Sequence, residues 1–452
     1  MKPHLNFSGK HILIIGAKRS GLAASALLRK HGALVRAVDS QALTPEEQAR
    51  FAALGVTVAG QDSVDLAGLD CIVLSPGVPY DLPVLISARE RGILTIGEVE
   101  LSSYFLQGPI IGITGSNGKT TTTALAGHLL KEAGLPCQVG GNIGTAVTSL
   151  IDSSAAGQWN VLELSSFQLE SIRQFRAPIA ACLNVTPDHL DRHHTFALYA
   201  AAKARLFETQ QPGDFAVLNY DDPSCRTFAT RTLARTFWFS STQPVPAGVS
   251  LQGDSLLFNN QPFLQRSQIK LRGMHNVENV MAAAALAHLA GVKLEAIGPA
   301  VESFPGVEHR IEFVRALDGV EYYNDSKATN VDASLKAIDA FPRGLWIILG
   351  GKDKGSDYAP LLNPLRARAK AALLIGAPEP YPYAAAPLIK KALNGAVELI
   401  DCGTLDDAVT YARRHAAAGE TVLLSPACAS FDQFQNYEER GKHFKHLVLE
   451  LV

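Results

Sequence analysis

No stretch of this chain is apolar for the ~18–20 residues that a membrane-spanning helix needs, so an integral membrane protein is not expected. No charge of one sign dominates. The 41 Lys and Arg nearly balance the 43 Asp and Glu, for a net charge of −2. That leaves no basic field for nucleic acid or an anionic membrane surface. The six cysteines are scattered, without a Cys-x-x-Cys or other metal-type spacing, and read as buried thiols in a reducing compartment. The N-terminal residues 1–9 are polar and do not read as a secretory signal, which makes the cytoplasm the expected location. Internal repeats and low-complexity tracts are also missing. What is there is ordinary for a soluble globular protein: 452 residues, 47% hydrophobic and 19% charged, enough for about three domains.

The strongest local signal is Ile110-Ile111-Gly112-Ile113-Thr114-Gly115-Ser116-Asn117-Gly118-Lys119-Thr120-Thr121. An apolar strand ends in a glycine-rich turn, and an Ala/Leu-rich helix is expected from Ala124 to Ala133. Such a turn aims backbone N–H groups at a phosphate on the positive end of a helix dipole. Gly115, Asn117, Gly118, Lys119, Thr120 and Thr121 are the candidates to cradle ATP. Lys119 would reach the outer phosphates and the Thr120 hydroxyl would ligate Mg²⁺. The P-loop pattern asks for Gly five residues before Gly118, where this chain has Ile113.

Upstream, Lys10 to Ala17 reads as a buried strand, followed by Gly16-Ala17-Lys18-Arg19-Ser20-Gly21, a helix to His31 and a second strand ending at Asp39. This is the start of a Rossmann-like βαβ unit. Its fingerprint carries Lys18 where a dinucleotide site has its middle Gly, which argues against NAD and leaves another diphosphate-bearing ligand or a structural βαβ. Asp39 could accept from ligand hydroxyls, or be a solvated strand-end carboxylate. Ser75-Pro76-Gly77 follows a strand and lies at the sheet edge where ligands sit in open α/β folds.

Further along, Gly140-Gly141-Asn142 allows close backbone approach, and Asn142 can bond substrate or phosphate. Glu163 ends a strand that should face the P-loop, where a carboxylate can hold Mg²⁺ directly or through water. Ser165 and Gln168 are second candidates for substrate or metal-water contacts. Phe196, Ala200, Lys203 and Phe207 share one helical face, which sets Lys203 in an apolar stripe. An ammonium snorkelling to water is one reading of that lysine. Another α/β unit follows Arg310. Three of its strands empty into polar loops, at Asp325-Ser326-Lys327-Ala328-Thr329-Asn330, at Gly350 to Gly355, and at Ser425 to Phe434. Strand ends on one sheet edge form one site.

The wording Thr-Gly-Ser-Asn-Gly-Lys-Thr, Asn-Val-Thr-Pro-Asp-His-Leu-Asp from Asn184, and the loops at Asp325 and Ser425 resemble the ATP-dependent Mur ligases of peptidoglycan synthesis, over all three segments. The resemblance implies an α/β fold of three domains. These would be a Rossmann-like UDP-sugar-nucleotide domain (1–98), a central P-loop ATPase-type parallel-sheet domain (99–306) and a Rossmann-like amino-acid domain (307–452). It implies that Lys18, Arg19, Ser20, Asp39, Ser75, Pro76, Gly77, Asn142, Ser165 and Gln168 face a UDP-N-acetylmuramoyl-L-alanine acceptor. Asn279, Arg310, Asp325 and Lys327 would face ATP. Lys327, Thr329, Lys354, Ser430, Phe431 and Tyr437 would surround D-glutamate, with Lys352 as the alternative to Lys354. It further implies two Mg²⁺ sites, one at Thr120 and Glu163, the other at His189 and a CO₂-carbamylated Lys203. The function implied is a bacterial, cytoplasmic amide-forming ligase of cell-wall synthesis, expected as a monomer. His193 and His194 have no assigned role. A related ligase such as folylpolyglutamate synthase, or a plain P-loop ATPase module, is the other reading.

Overall fold

A computed structural model describes residues 6–61, 64–142, 145–378 and 380–452. By internal contacts the chain divides into two units. One is Met1–Gln268 with Glu278–Phe304, and the other is Ile269–Val277 with Pro305–Val452.

The first unit holds two sheets. The smaller contains β1 (His11–Ile15), β2 (Leu34–Asp39), β3 (Thr57–Gly60), β4 (Cys71–Leu74) and β5 (Leu94–Gly97). Their order is β3-β2-β1-β4-β5 and every pair is parallel. The apolar runs of β1 and β4 are buried except for His11 at the entry of β1, as strands covered on both faces should be. The chain moves outward from β1 in one direction through β2 and β3, and in the other through β4 and β5. Ligands in such sheets bind at this switch point, outside the carboxyl ends of the strands. Here that places Gly16 after β1 beside Ser75 after β4.

The larger sheet contains β6 (Ile110–Thr114), β7 (Cys137–Gly141), β8 (Trp159–Glu163), β9 (Ile179–Cys182), β10 (Phe215–Asn219), β11 (Arg235–Ser240), β12 (Gly248–Gln252), β13 (Ser255–Phe258) and β14 (Gln261–Gln265). The order is β14-β13-β12-β11-β10-β9-β6-β8-β7. It is parallel from β7 to β12 and antiparallel across β13 and β14. The switch point is β6, so the glycine-rich turn lies between the ends of β8 and β9. The helix after the turn starts at Lys119 rather than Ala124 and runs to Glu132. Four consecutive threonines are poor helix formers, but all four are buried, and Thr120 and Thr122 spend their hydroxyls on tertiary partners.

The second unit holds β15 (Glu312–Leu317), β16 (Val320–Asn324), β17 (Leu345–Gly350), β18 (Ala369–Ile375), β19 (Glu398–Gly403) and β20 (Thr421–Leu424), in the order β15-β16-β20-β17-β18-β19. Only β15 is antiparallel. The register sets Asn324 opposite Leu424 and Leu424 opposite Ile348. The three polar loops therefore leave neighbouring strands at one edge.

The two sheets of the first unit are joined by the helix Glu98–Ser103, all of whose residues are buried. Its Glu100 carboxylate accepts from the backbone N–H groups of Arg173 (2.8 Å), Gln174 (2.9 Å) and Phe175 (2.9 Å), and from the Tyr104 hydroxyl (2.5 Å). Removing it takes the acceptor from three main-chain donors at once, of which the Phe175 N–H is buried, a loss of about 1–3 kcal/mol. Glu100→Ala should therefore lower the calorimetric unfolding transition of the first unit by several degrees, with Glu100→Gln intermediate. An unchanged transition in Glu100→Ala would contradict this role.

Candidate active site

The glycine-rich turn is held by hydrogen bonds from the loop that leaves β9. Asn184 Oδ1 accepts from Asn117 N (2.8 Å), Asn184 Nδ2 donates to Asn117 O (3.2 Å), and Ser116 N donates to Asn184 O (2.9 Å). Gly118 sits at φ +84° as the residue before the helix, and a Cβ there would lie 2.2 Å from Asn279 Oδ1. That close approach brings Asn279 against the turn, where Thr122 Oγ1 also donates to it (3.3 Å).

Thr120 Oγ1 donates to Glu163 Oε2 (2.9 Å), and Asn142 Nδ2 donates to Glu163 Oε1 (3.2 Å). Thr120 and Glu163 are each 3% exposed. A buried hydroxyl and carboxylate side by side are hard oxygen donors of the kind Mg²⁺ takes, so these residues fit the ion. Among the described residues no three His, Cys, Asp or Glu side chains cluster as a metal site of their own. Further donors at this position would have to come from substrate phosphate or water.

Two lysines converge on one carbonyl. Lys119 Nζ donates to Gly115 O (2.8 Å) and to Ser116 O (2.9 Å), and Lys203 Nζ donates to the same Gly115 O (2.8 Å). Lys203 does not snorkel. It is 1% exposed, with its Nζ 4.5 Å from the centre of the Tyr199 ring. Burial first, and the Lys119 charge second, push its pKa down to about 7. Tyr199, one helical turn before Lys203, shares a 2.9 Å bond with Ser116 Oγ. The expected stripe is shifted at its start, because Phe196 opens the helix Phe196–Glu208 and stays 38% exposed, whereas Tyr199, Lys203, Leu206 and Phe207 are buried. His189 adopts φ +52° and packs edge-on against Phe167 at 4.8 Å between ring centres.

At the switch point of the smaller sheet lies a cavity of about 580 Å³. Lys18, Arg19, Ser20, Asp39, Ser75, Pro76, Gly77, Asn142 and Gln168 all line it. A Cβ on Gly16 (φ +93°) would lie 2.7 Å from Ser75 Cβ, and Ser75 Oγ donates to Gly16 O (2.7 Å). Asp39 is no solvated strand end. It is 8% exposed and accepts from Ala17 N (2.6 Å) and Gln41 N (2.9 Å). Lys18 pairs with Glu47 at 3.2 Å. Ser165 does not line the cavity. It caps the helix Ser166–Glu170, and Gln168 returns a bond to the Ser165 N–H. The Ser-x-x-Gln spacing carries that capping box in the sequence. Glu98 lines the cavity too. Burial raises its pKa, opposed by bonds from Thr148.

In the second unit, Asp325 is 1% exposed and accepts from Ser425 Oγ (3.0 Å). Burial pushes it up to about 7 against the pull of Arg310. Among the described residues Arg310 Nε is buried without a hydrogen-bond partner, a group that a ligand would satisfy. Beside Arg310 and Lys336, burial drives His275 down to about 4. Lys327 Nζ lies 5.6 Å from the centre of the Tyr437 ring. Ser430 is buried and Phe431 is 65% exposed. Lys354 is exposed, whereas Lys352 pairs its backbone with Ala429 and holds its amine 5.1 Å from the centre of the Tyr383 ring. Arg440, 1% exposed, donates to Ser326 Oγ (2.9 Å), Ser326 O (2.8 Å) and Cys428 O (3.3 Å), binding two of the loops together. Sequence reading missed Arg440, which lies on the C-terminal helix outside every loop.

A parallel sheet with a glycine-rich turn at its switch point, a Thr–Glu pair and a buried lysine defines a P-loop α/β enzyme. The comparisons narrow the class. Residues 10–97 match the Mur ligase MurD-like N-terminal domain, 113–287 the Mur ligase middle domain and 309–428 the Mur ligase glutamate ligase domain. A relative from Solibacter usitatus, UDP-N-acetylmuramoylalanine–D-glutamate ligase, is 56% identical over 98% of both chains. One of the same name from Acidobacterium capsulatum is 49% identical over 98% of this chain and 97% of its own. Among solved structures, UDP-N-acetylmuramate–alanine ligase from Thermotoga maritima superposes with a TM-score of 0.60 at 18% identity, covering 97% of this chain and 99% of its own. The chain belongs to the Mur ligase family, and is thereby an ATP-dependent ligase.

The turn geometry makes a direct prediction. Gly118→Ala forces a Cβ into Asn279 at a backbone angle that L residues rarely adopt. The variant should bind ADP at least about tenfold more weakly, or ~1.4 kcal/mol, by titration calorimetry. Unchanged affinity in a folded variant would contradict the assignment of this turn to nucleotide.

Proposed function

We propose that this enzyme joins D-glutamate to UDP-N-acetylmuramoyl-L-alanine at the expense of ATP, in the bacterial cytoplasm, as a step of peptidoglycan precursor synthesis. The observation that carries the reading is the alignment of the three polar loops on adjacent ends of β16, β20 and β17, in a chain 56% identical to a ligase of that name. On this reading the three sheets divide the labour. The cavity at the first takes the sugar nucleotide, the second takes ATP, and the loops of the third take D-glutamate through Lys327, Thr329, Lys354, Ser430, Phe431 and Tyr437.

A carboxylate is a poor electrophile, so the L-alanyl carboxylate is first phosphorylated by ATP to an acyl phosphate. The D-glutamate amine then attacks the acyl carbon, and phosphate leaves. Lys119, whose amine lies on the carbonyls of its own turn, would serve the phosphates. It would neutralise charge that builds during phosphoryl transfer, a role for which Lys327 and Arg310 are the candidates in the second unit. Thr120 and Glu163 would hold a Mg²⁺, which supplies further charge neutralisation to the phosphates when bound. His189 and Lys203 are the residues proposed for a second. Lys203 is suited to that role only as an anion. With a pKa near 7 its amine is largely neutral at pH 8, and a neutral amine adds CO₂ with loss of one proton to solvent to give a carbamate anion. Asn279, which packs against the turn, is the residue proposed to bond the adenine.

The defining assay follows ADP release with each substrate omitted in turn. Release is expected only with ATP, UDP-N-acetylmuramoyl-L-alanine and D-glutamate all present, with D-glutamate preferred over L-glutamate, L-alanine and diaminopimelate. Equal turnover without an amino acid would make this a plain ATPase, and preference for another amino acid would move it within the family.

A further inference from the structure

The short helix Leu190–His193 carries Arg192 and leads into His194, and neither histidine of this run has a role in the scheme above. Arg192 reaches from the larger sheet to the smaller one. Its Nη1 donates to Gly77 O (3.3 Å) and its Nη2 to Val78 O (2.7 Å), both in the loop after β4 that lines the sugar-nucleotide cavity. Nη2 also meets Glu170 Oε2 (3.0 Å), and the guanidinium lies over the Phe167 ring at 4.8 Å. Glu170 is shared, since its Oε1 accepts from His193 Nδ1 (3.1 Å), and His193 Nε2 lies 2.9 Å from Ser166 Oγ. His193 is buried and stacks on Phe167, the ring against which His189 packs. His194 adds an exposed tie to Asp81 (3.0 Å).

The loop needs such a hold. A Cβ at Gly77 would meet nothing within 4 Å, so no packing fixes that residue, although its neighbour Val78 rests on the core of the smaller sheet. Ser75 is tied to Gly16 at one end, and at the other the Gly77 and Val78 carbonyls are held by Arg192. The Arg192 and Glu170 side chains are only 14% and 17% exposed, so their pairing is little screened. The planar guanidinium can span two carbonyls, a carboxylate and a ring face together, which a lysine cannot.

We infer that Arg192 is a positioning residue for the acceptor. It presets the Ser75–Val78 loop in its binding geometry and ties that loop, through Glu170 and Phe167, to the elements that carry Gln168 and His189. Binding then need not order the loop, and that saving appears in acceptor affinity. The inference rests on the reading of this cavity as the sugar-nucleotide site.

The test is steady-state kinetics of Arg192→Ala, Arg192→Lys and Glu170→Gln, varying each substrate separately. Arg192→Ala should raise KM for UDP-N-acetylmuramoyl-L-alanine about tenfold or more, with KM for ATP and for D-glutamate within about twofold. Arg192→Lys, which can pair with Glu170 but cannot span the carbonyls, should fall between. Glu170→Gln should move the same parameter in the same direction. If Arg192→Ala does not fold, the Lys and Gln variants decide, with an acceptor KM raised about threefold or more expected. An unchanged acceptor KM, or an equal rise in all three KM values, would overturn the positioning role. An inactive unsubstituted enzyme would instead overturn the functional reading, and this inference with it.

Discussion

Two ammonium groups share the carbonyl of Gly115, and much of the central site follows from that crowding. Lys119 has a use for its charge, because the turn it closes is built for phosphates. Lys203 has none as a cation. It is buried against Tyr199, beside a like charge, and donates to a carbonyl already bonded to Lys119. Desolvation and repulsion act in the same direction on its pKa. A side chain this costly to keep charged is better suited to become something else, and conversion to an anion would turn the repulsion from Lys119 into attraction.

The carbonyl can play this part because the turn is rigid. Asn184 grips Asn117 from both sides, Ser116 is bonded to Tyr199 and to the Asn184 carbonyl, and Gly118 admits Asn279 where any side chain would exclude it. These bonds hold the turn in the conformation that sets both lysines on one carbonyl. Switch points repeat the logic on a larger scale. In the first unit each sheet reverses its winding at the strand that feeds its site, β1 for the cavity and β6 for the phosphate turn. In the second unit β20 inserts between β16 and β17. Segments far apart in sequence are thereby delivered to the same edge.

Much of this could be read from residues. The strand before the turn, the glycines and the strand-end Glu163 are local signals, and the apolar runs of β1, β4, β6, β17 and β20 are short and buried as their composition requires. The lysine in an apolar stripe was visible too. Its acceptor, 88 residues away, was not. Long-range partners leave no periodicity. Nothing in the run Asp-Arg-His-His points to carbonyls 114 and 115 residues upstream, and nothing in Glu100 announces three main-chain donors beyond residue 172. Ser165, a candidate for substrate or metal-water contacts in the sequence, is seen in the structure as the cap of the helix Ser166–Glu170. The helix start at Lys119 was missed because propensity disfavours a threonine run, and tertiary bonds to Glu163 and Asn279 outweighed propensity.

The state of Lys203 decides the account. Protein equilibrated with carbon-13-labelled bicarbonate and Mg²⁺ should show a carbamate resonance by NMR that is missing from Lys203→Ala. The lowered pKa sets its pH dependence. Below about pH 7 the amine is protonated and cannot add CO₂, so the signal should grow as pH rises from 6 to 8, several units below where an ordinary lysine near 10.5 would respond. No carbamate resonance at pH 8, with the Lys203 amine titrating near 10.5, would contradict the account.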